Sequence, residues 1–308
     1  MQEYQHTVTA TDGVKLFVRE YLPEGPAPRR NLLFIHGACE HGGRYRELAE
    51  AATAAGWRLL IPDHRGHGLS GGIRVHVASF EEYLDDMRLH CRHFSLLPGR
   101  TAIIGHSMGG LVLARLLESN THLATAACLL SPYLGLQIRV DRWTLFVGKI
   151  LASVWPWYRF RSRVRADDLS PDPEYLARRR QDPLIERNVT AGWFFVVQQA
   201  LREVHDEVAR VHTPLLVVQG DQDRIVNPQA TVDWFQKISS NDRQLEVLRG
   251  HLHELLQETD RQQTTQMVLE WLGKRIGDRS PESVQLRQAV QFPNDPFSHQ
   301  QDAEGDHD

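Results

Sequence analysis

The chain has 308 residues, of which 41% are hydrophobic and 24% are charged, so it can bury a large core as globular proteins do. A formal net charge of −4 gives no indication of a nucleic-acid partner. Three cysteines, at positions 39, 91 and 128, are too few for a disulfide framework and suit a reducing compartment. The start of the chain lacks the features of a signal peptide, and no apolar stretch is long enough to span a bilayer. We therefore expect a cytoplasmic protein.

Short aliphatic runs alternate with helical patterns along most of the chain. Strands are predicted at residues 6–11, 16–21, 31–35, 57–61, 101–104, 124–130, 214–219 and 244–248. Helices are predicted at residues 45–55, 80–94, 111–117, 228–238 and 254–276. Strands that alternate with helices form right-handed crossovers, so the pattern predicts an α/β fold with a mostly parallel, doubly wound sheet of eight strands.

The alternation stops after the sixth predicted strand. Residues 132–212 are helical and rich in aromatic residues and arginine, without a convincing strand, and we interpret this insertion as a helical cap. The core is then formed by residues 1–131 and 213–277. Residues 278–308 carry seven acidic side chains against two basic ones and are predicted to be a disordered acidic tail.

Residues 105–109, GHSMG, match the pattern G-x-S-x-G between a predicted strand and a predicted helix. In that setting the serine lies on a sharp, strained turn, and the glycines allow the close approach of neighbouring backbone. A serine in a glycine-rich helix start could instead be a simple cap, but the strand–turn–helix context favours a nucleophile. Ser107 is therefore the predicted nucleophile.

A serine nucleophile needs a histidine base and an acid that orients the base. Asp221 and Asp223 follow one predicted strand, and His251 and His253 follow the next, where ligands gather at the carboxyl ends of parallel strands. Spacing alone does not choose within either pair. The backbone N–H groups of Ala38, after an early strand, and of Met108, after the nucleophile, are predicted to form the oxyanion hole.

As a set, six stretches of the chain resemble the monoacylglycerol lipase and lysophospholipase-like family of α/β-hydrolases. They are HGACEHGGRY (36–45), PDHRGHGLSGG (62–72), GHSMGG (105–110), DPL (182–184), GDQDRIV (220–226) and HELLQE (253–258). The resemblance covers residues 5–275 and implies that Asp223 is the triad acid and His253 the base. It also implies a carboxylic ester hydrolase of acyl lipids, with glycerol monoesters before lysophospholipids as substrates. Residues 65–68 resemble the family's structural turn beside the site.

Cys39 departs from the family, which usually has glycine at this position of its H-G-x-G-E motif. If the position requires a positive φ, a cysteine adds strain of about 1–3 kcal/mol. A reactive thiol needs a lowered pKa. Because the sequence gives no sign of one, we favour the interpretation that a small residue is tolerated in a tight loop.

Apolar residues recur at helical spacing near the start of the insertion and form a stripe. We predict that this stripe contacts the acyl chain and is not purely structural. It consists of Trp143, Phe146, Val147, Ile150 and Leu151. Because the resemblance places this segment over the active site as a lid, we also expect peripheral contact with a membrane or micelle surface. The arginines that follow do not indicate whether the substrate has an anionic head group, since acidic residues come soon after them. The sequence does not indicate an oligomeric state.

No cofactor or metal is predicted, although paired histidines such as His64 and His67 could suggest a metal site. Dehalogenases and epoxide hydrolases with this fold have aspartate where this chain has Ser107, so the sequence disfavours both classes of enzyme. A broad carboxylesterase, a cofactor-free perhydrolase and a non-catalytic receptor on the same fold remain the alternatives. The receptor is disfavoured because every member of the triad is present.

Overall fold

The computed structural model describes residues 1–119, 122–138 and 141–276. The predicted acidic tail, residues 278–308, lies outside this part of the chain. Among the described residues, no helix is both long enough and apolar enough to cross a bilayer.

One eight-stranded sheet forms the centre of the molecule, in the order β1-β2-β4-β3-β5-β6-β9-β10. Its strands are β1 (Gln2–Thr9), β2 (Lys15–Leu22), β3 (Arg30–Ile35), β4 (Trp57–Pro62), β5 (Thr101–His106), β6 (Ala126–Leu130), β9 (Leu215–Gly220) and β10 (Arg243–Leu248). The pairings β1–β2 and β2–β4 are antiparallel, and the other five are parallel. This confirms the predicted α/β-hydrolase fold.

Helices cover both faces of this sheet. They are α1 (Arg46–Ala54), α2 (Glu81–His93), α3 (Met108–Glu118), α4 (Arg142–Val154), α5 (Pro173–Gln181), α6 (Ala191–Asp206), α7 (Pro228–Lys237) and α8 (Arg261–Gly273). Side chains of α2, α3, α6 and α7 form one apolar core, and those of α1 and α8 form the other. Leu33 and Ile35 of β3 face the first core, and Leu32 and Phe34 face the second, because successive side chains of a strand alternate between faces. A strand buried on both faces explains the continuous apolar runs in the sequence.

The strand order positions the site. The chain passes from β3 to β4 on one side and then crosses back to β5 on the other side of β3. The loops after β3 and β5 therefore diverge at the carboxyl edge, which is the switch point where ligands bind in open α/β sheets. The predicted oxyanion loop follows β3, and the predicted nucleophile follows β5.

The insertion after β6 differs from the prediction in one respect. It contains α4, α5 and α6, as expected, but also two three-residue strands, β7 (Arg159–Arg161) and β8 (Asn188–Thr190), which pair antiparallel. The expectation of an insertion without strands was therefore wrong. These strands are too short for an alternating pattern, and the two partners are distant in the chain. Neither strand propensity nor a hairpin turn therefore predicts them.

Two predicted boundaries differ most from the structure. β1 begins at Gln2, where charged and polar side chains on the exposed edge mask the strand. The closing helix begins at Arg261 and not at residue 254, because a short 3₁₀ turn (Leu255–Gln257) precedes it.

Candidate active site

Ser107 lies on a strained turn between β5 and α3. Its φ and ψ are 52° and −117°, which is a conformation that a side-chain-bearing residue adopts at a cost of about 1–3 kcal/mol. A Cβ on Gly109 would lie 2.1 Å from the carbonyl oxygen of Ile35, and one on Gly105 would lie 2.4 Å from that of Gly109. The glycines of the motif are thus required because backbone segments touch at the turn.

Asp223 and His253 come together with Ser107 in a hydrogen-bonded series. Ser107 Oγ lies 2.9 Å from His253 Nε2, and His253 Nδ1 lies 2.8 Å from Asp223 Oδ2. His253 and Asp223 are buried, whereas Ser107 is partly exposed at the site. Burial opposes ionisation of Asp223, but the charge and hydrogen bond of His253 and two backbone N–H groups hold its pKa below the usual value. The arrangement can activate the serine hydroxyl and stabilise a charged imidazole.

The competing residues of each pair point elsewhere. Asp221 accepts a hydrogen bond of 2.7 Å from the backbone N–H of Gly250, and His251 Nε2 lies 2.9 Å from Asp260. These contacts lie within the loops that follow β9 and β10. Spacing in the sequence could not reveal this difference.

The backbone N–H groups of Ala38 and Met108 have no hydrogen-bond partner among the described residues. The loop that carries Ala38 approaches Ser107 closely, since a Cβ on Gly37 would lie 3.2 Å from the Cβ of Ser107. Two free N–H groups on the loops that meet at Ser107 are what an oxyanion hole requires.

Buried histidines hold the loop after β3 in place. The backbone N–H of His64 donates to His36 Nε2 at 3.0 Å, and His64 Nε2 lies 3.0 Å from the carbonyl oxygen of His36. Burial lowers the pKa of His64 to about 3 and that of His67 to about 4, so both are neutral at pH 7. Their hydrogen bonds to backbone give them a structural role in the turn that the family resemblance implied.

Below the site lies a buried ion-pair network that the sequence analysis missed. Arg44 pairs with Glu40 and lies 3.4 Å from Glu254, while Glu40 accepts a hydrogen bond of 2.6 Å from the backbone N–H of Gly37. His106 Nδ1 lies 3.2 Å from Glu40. Oxygen and nitrogen atoms of Glu40, His106 and Glu254 come within 4.8 Å of one another, but both carboxylates already contact the guanidinium of Arg44, whose positive charge opposes a cation there. The set therefore fits an ion-pair network better than a metal site.

The insertion is tied to the loop that carries His253. The carbonyl oxygen of Leu169 accepts hydrogen bonds from the backbone N–H groups of His253 and Glu254, at 3.1 and 2.9 Å. The hydroxyl of Ser170 donates to the carbonyl oxygen of Gln257 at 2.8 Å. This part of the insertion thus fixes the position of the loop that carries His253.

α4 is different, because none of its residues is buried. Trp143 is 72% exposed and stacks on Phe146 with 5.7 Å between ring centroids. Val147 and Ile150 are also exposed, and Leu151 is partly buried. The predicted stripe therefore forms an exposed apolar surface, which is rare on a protein without a partner for it.

Cys39 has a φ of 63° and is buried, and burial raises the pKa of its thiol to about 12. A thiol with such a pKa is not a nucleophile at neutral pH. The position does have the positive φ that favours glycine.

The chain is similar in sequence to known hydrolases. The model of the serine aminopeptidase S33 family matches residues 26–260. A monoacylglycerol lipase of Mycolicibacterium smegmatis is 29% identical over 273 residues, covering 87% of this chain and 96% of that protein. The phospholipase YtpA of Bacillus subtilis is 28% identical over 236 residues, covering 75% and 90% respectively.

Solved structures show the same fold. A monoacylglycerol lipase from Paleococcus ferrophilus superposes with a TM-score of 0.76 at 24% identity, covering 88% of this chain and 98% of that one. A monoglyceride lipase from Saccharomyces cerevisiae, in complex with a substrate analogue, gives 0.78 at 19% identity, with 89% and 96% covered. Because the family model matches well over half of its length, the chain belongs to the serine aminopeptidase S33 family of α/β-hydrolases.

Proposed function

We propose that the protein is a serine hydrolase that cleaves carboxylic esters of acyl lipids, with monoacylglycerols as the first substrates and lysophospholipids as the second. The observation that carries this proposal is the hydrogen-bonded series of Ser107, His253 and Asp223 on a strained strand–helix turn. The names of the relatives, monoacylglycerol lipase and phospholipase, support the class of substrate.

In the proposed reaction, Ser107 Oγ attacks the ester carbonyl carbon while His253 Nε2 takes the hydroxyl proton. Asp223 stabilises the imidazolium that forms. The N–H groups of Ala38 and Met108 donate to the oxyanion, and the loss of one such donor typically raises the barrier by about 2.7–4 kcal/mol. His253 then returns the proton to the departing glycerol oxygen. Water, activated by the same histidine, hydrolyses the acyl-enzyme and releases the fatty acid.

The family name also raises cleavage of an N-terminal amino acid, for which a carboxylate near the site would bind the substrate ammonium. The carboxylates around His106 and His253 do not suit this role. Glu40 and Glu254 are buried and both contact Arg44, so neither is exposed to a substrate. The burial of these two carboxylates favours an ester substrate without an ammonium group.

The exposed surface of α4 supports a lipid substrate, since aromatic and aliphatic side chains there match the interface between lipid and water. We extend the proposal to peripheral contact of α4 with a membrane or micelle, with acyl-chain contacts from Trp143, Phe146, Val147, Ile150 and Leu151. The proposed location is the cytoplasm, in keeping with three free cysteines.

The proposal is tested with wild type and Ser107→Ala on a panel of monoacylglycerols, lysophosphatidylcholines, p-nitrophenyl esters and aminoacyl p-nitroanilides. We expect the wild type to cleave glycerol monoesters fastest and the anilides not at all, and the variant to be inactive. Preferred cleavage of the anilides would establish a peptidase instead. A wild type that cleaves nothing on the panel would contradict the hydrolase assignment.

Surface contact is tested separately by sedimentation with lipid vesicles. Phe146→Ser should weaken vesicle binding at unchanged activity on a soluble p-nitrophenyl ester. Leu97→Ser is the matched control, because Leu97 is 57% and Phe146 56% exposed, and Leu97 lies in the loop between α2 and β5, outside the insertion. Equal vesicle binding by all three proteins would contradict the contact.

A further inference from the structure

The carboxylate of Asp223 receives four N–H groups. Oδ1 accepts from the backbone N–H groups of Ile225 and Val226, at 2.8 and 3.0 Å. Oδ2, which faces His253, also accepts from the side-chain amide of Gln219 at 3.1 Å. The triad acid is thus fixed at both oxygens, and one of the donors is a side chain that no part of the proposed mechanism uses.

Gln219 belongs to β9 and is fully buried. Its amide nitrogen donates to Asp223 and to the carbonyl oxygen of Gly220, and its amide oxygen accepts from the hydroxyl of Thr231 at 3.0 Å. Thr231 is also fully buried and lies on α7. Because the threonine hydroxyl faces the amide oxygen, it sets the rotation of the amide and directs the N–H groups towards Asp223.

A buried amide in a strand of apolar residues is costly unless all its groups are bonded, and leucine or methionine would fill the same volume. A packing role therefore does not explain a glutamine here. We infer, on the basis of the proposed function, that Gln219 is a positioning residue for Asp223 and that Thr231 orients Gln219. The chain of hydrogen bonds from α7 to Oδ2 keeps that oxygen in line with His253 Nδ1 where water has no access.

The central test is Gln219→Met, which keeps the length of the side chain and removes the donor. We expect kcat on a soluble p-nitrophenyl ester to fall about 10- to 100-fold with KM within about twofold, as for one hydrogen bond to a charged group. Rates are expressed per site titrated with a serine-directed phosphonate, so a loss of folded protein does not count. Gln244→Met is the control for the exchange itself, because Gln244 lies on the neighbouring strand β10, where its amide oxygen accepts from Trp271 Nε1 and not from a residue of the triad. Its kcat should be unchanged.

A double-mutant cycle separates positioning from general packing. In an Asp223→Ala background, Gln219→Met should change kcat less than about twofold, since the group on which it acts is gone. Thr231→Val keeps Gln219 in place and should lower kcat by about threefold, which tests the inference should the methionine variant fold poorly. An unchanged kcat in Gln219→Met and Thr231→Val, or the same loss with and without Asp223, overturns the inference. A wild type that cleaves no ester overturns the proposed function and not this inference alone.

Discussion

The backbone strain at Cys39 can be tested with two separate variants, each of which has a smaller side chain. Its φ of 63° is in the left-handed region, and it is 9% exposed within the apolar core formed by α2, α3, α6 and α7. Cys39→Ala keeps the Cβ and its strain, whereas Cys39→Gly removes both. We expect the glycine variant to be the more stable of the two.

The magnitude follows from two opposing effects. A side chain in the left-handed conformation costs about 1–2 kcal/mol, which the change from alanine to glycine recovers. Burial of the Cβ is worth roughly 0.8 kcal/mol, which the same change loses. The glycine variant should therefore exceed the alanine variant by up to about 1 kcal/mol in the free energy of unfolding. At an ordinary buried position glycine is instead about 0.5–1 kcal/mol worse than alanine.

Cys128 supplies the matched control, because it is fully buried on β6 and has no positive φ. Urea unfolding of the alanine and glycine variants at both positions gives the two differences directly. We expect their signs to be opposite. If Cys39→Gly is less stable than Cys39→Ala by as much as at position 128, the backbone at Cys39 is not strained and the reasoning is refuted.

The other predictions concern the proposed triad acid and a buried histidine. Asp223→Asn should lower kcat by about 10⁴-fold on a p-nitrophenyl ester, and Asp221→Asn by less than about threefold; the reverse order would reassign the acid. His90 is buried, with neither ring nitrogen bonded among the described residues, and burial lowers its pKa to about 3. When the pH falls below the usual pKa of histidine, His90 is protonated in the unfolded chain but not in the folded chain. Protonation then favours the unfolded state, so His90 should lower the free energy of unfolding by about 2 kcal/mol between pH 7 and pH 5. His90→Leu should remove this loss in urea unfolding at the two pH values, and equal pH sensitivity of both proteins would contradict it.

Much of the fold could be predicted because short stretches of the sequence indicate its strands and helices. Apolar runs such as residues 31–35 identify strands buried on both faces, and their alternation with helical patterns specifies a parallel sheet. The strand–turn–helix context of Ser107 is also local. Where local signals were weak, the prediction was wrong: the strands β7 and β8 carry no apolar alternation and pair over a long separation in the chain.

The choice between neighbouring residues could not be made from spacing. Asp221 and Asp223 are two residues apart after the same strand, and the family resemblance alone favoured Asp223. In the structure the turn directs Asp223 to His253 and leaves Asp221 bonded to Gly250. Side-chain direction in a turn depends on the backbone path, which the sequence does not state.

The sequence by itself determined the α/β architecture, the insertion after the sixth strand and the place of Ser107 on a strand–turn–helix motif, since each depends on periodicity or on a short motif. Only the tertiary structure decided which buried polar groups meet. The network of Glu40, Arg44 and Glu254 and the chain from Thr231 through Gln219 to Asp223 join residues from separate elements. The physical reason is that a hydrogen bond requires atoms about 3 Å apart, and the packing of whole elements brings those atoms together.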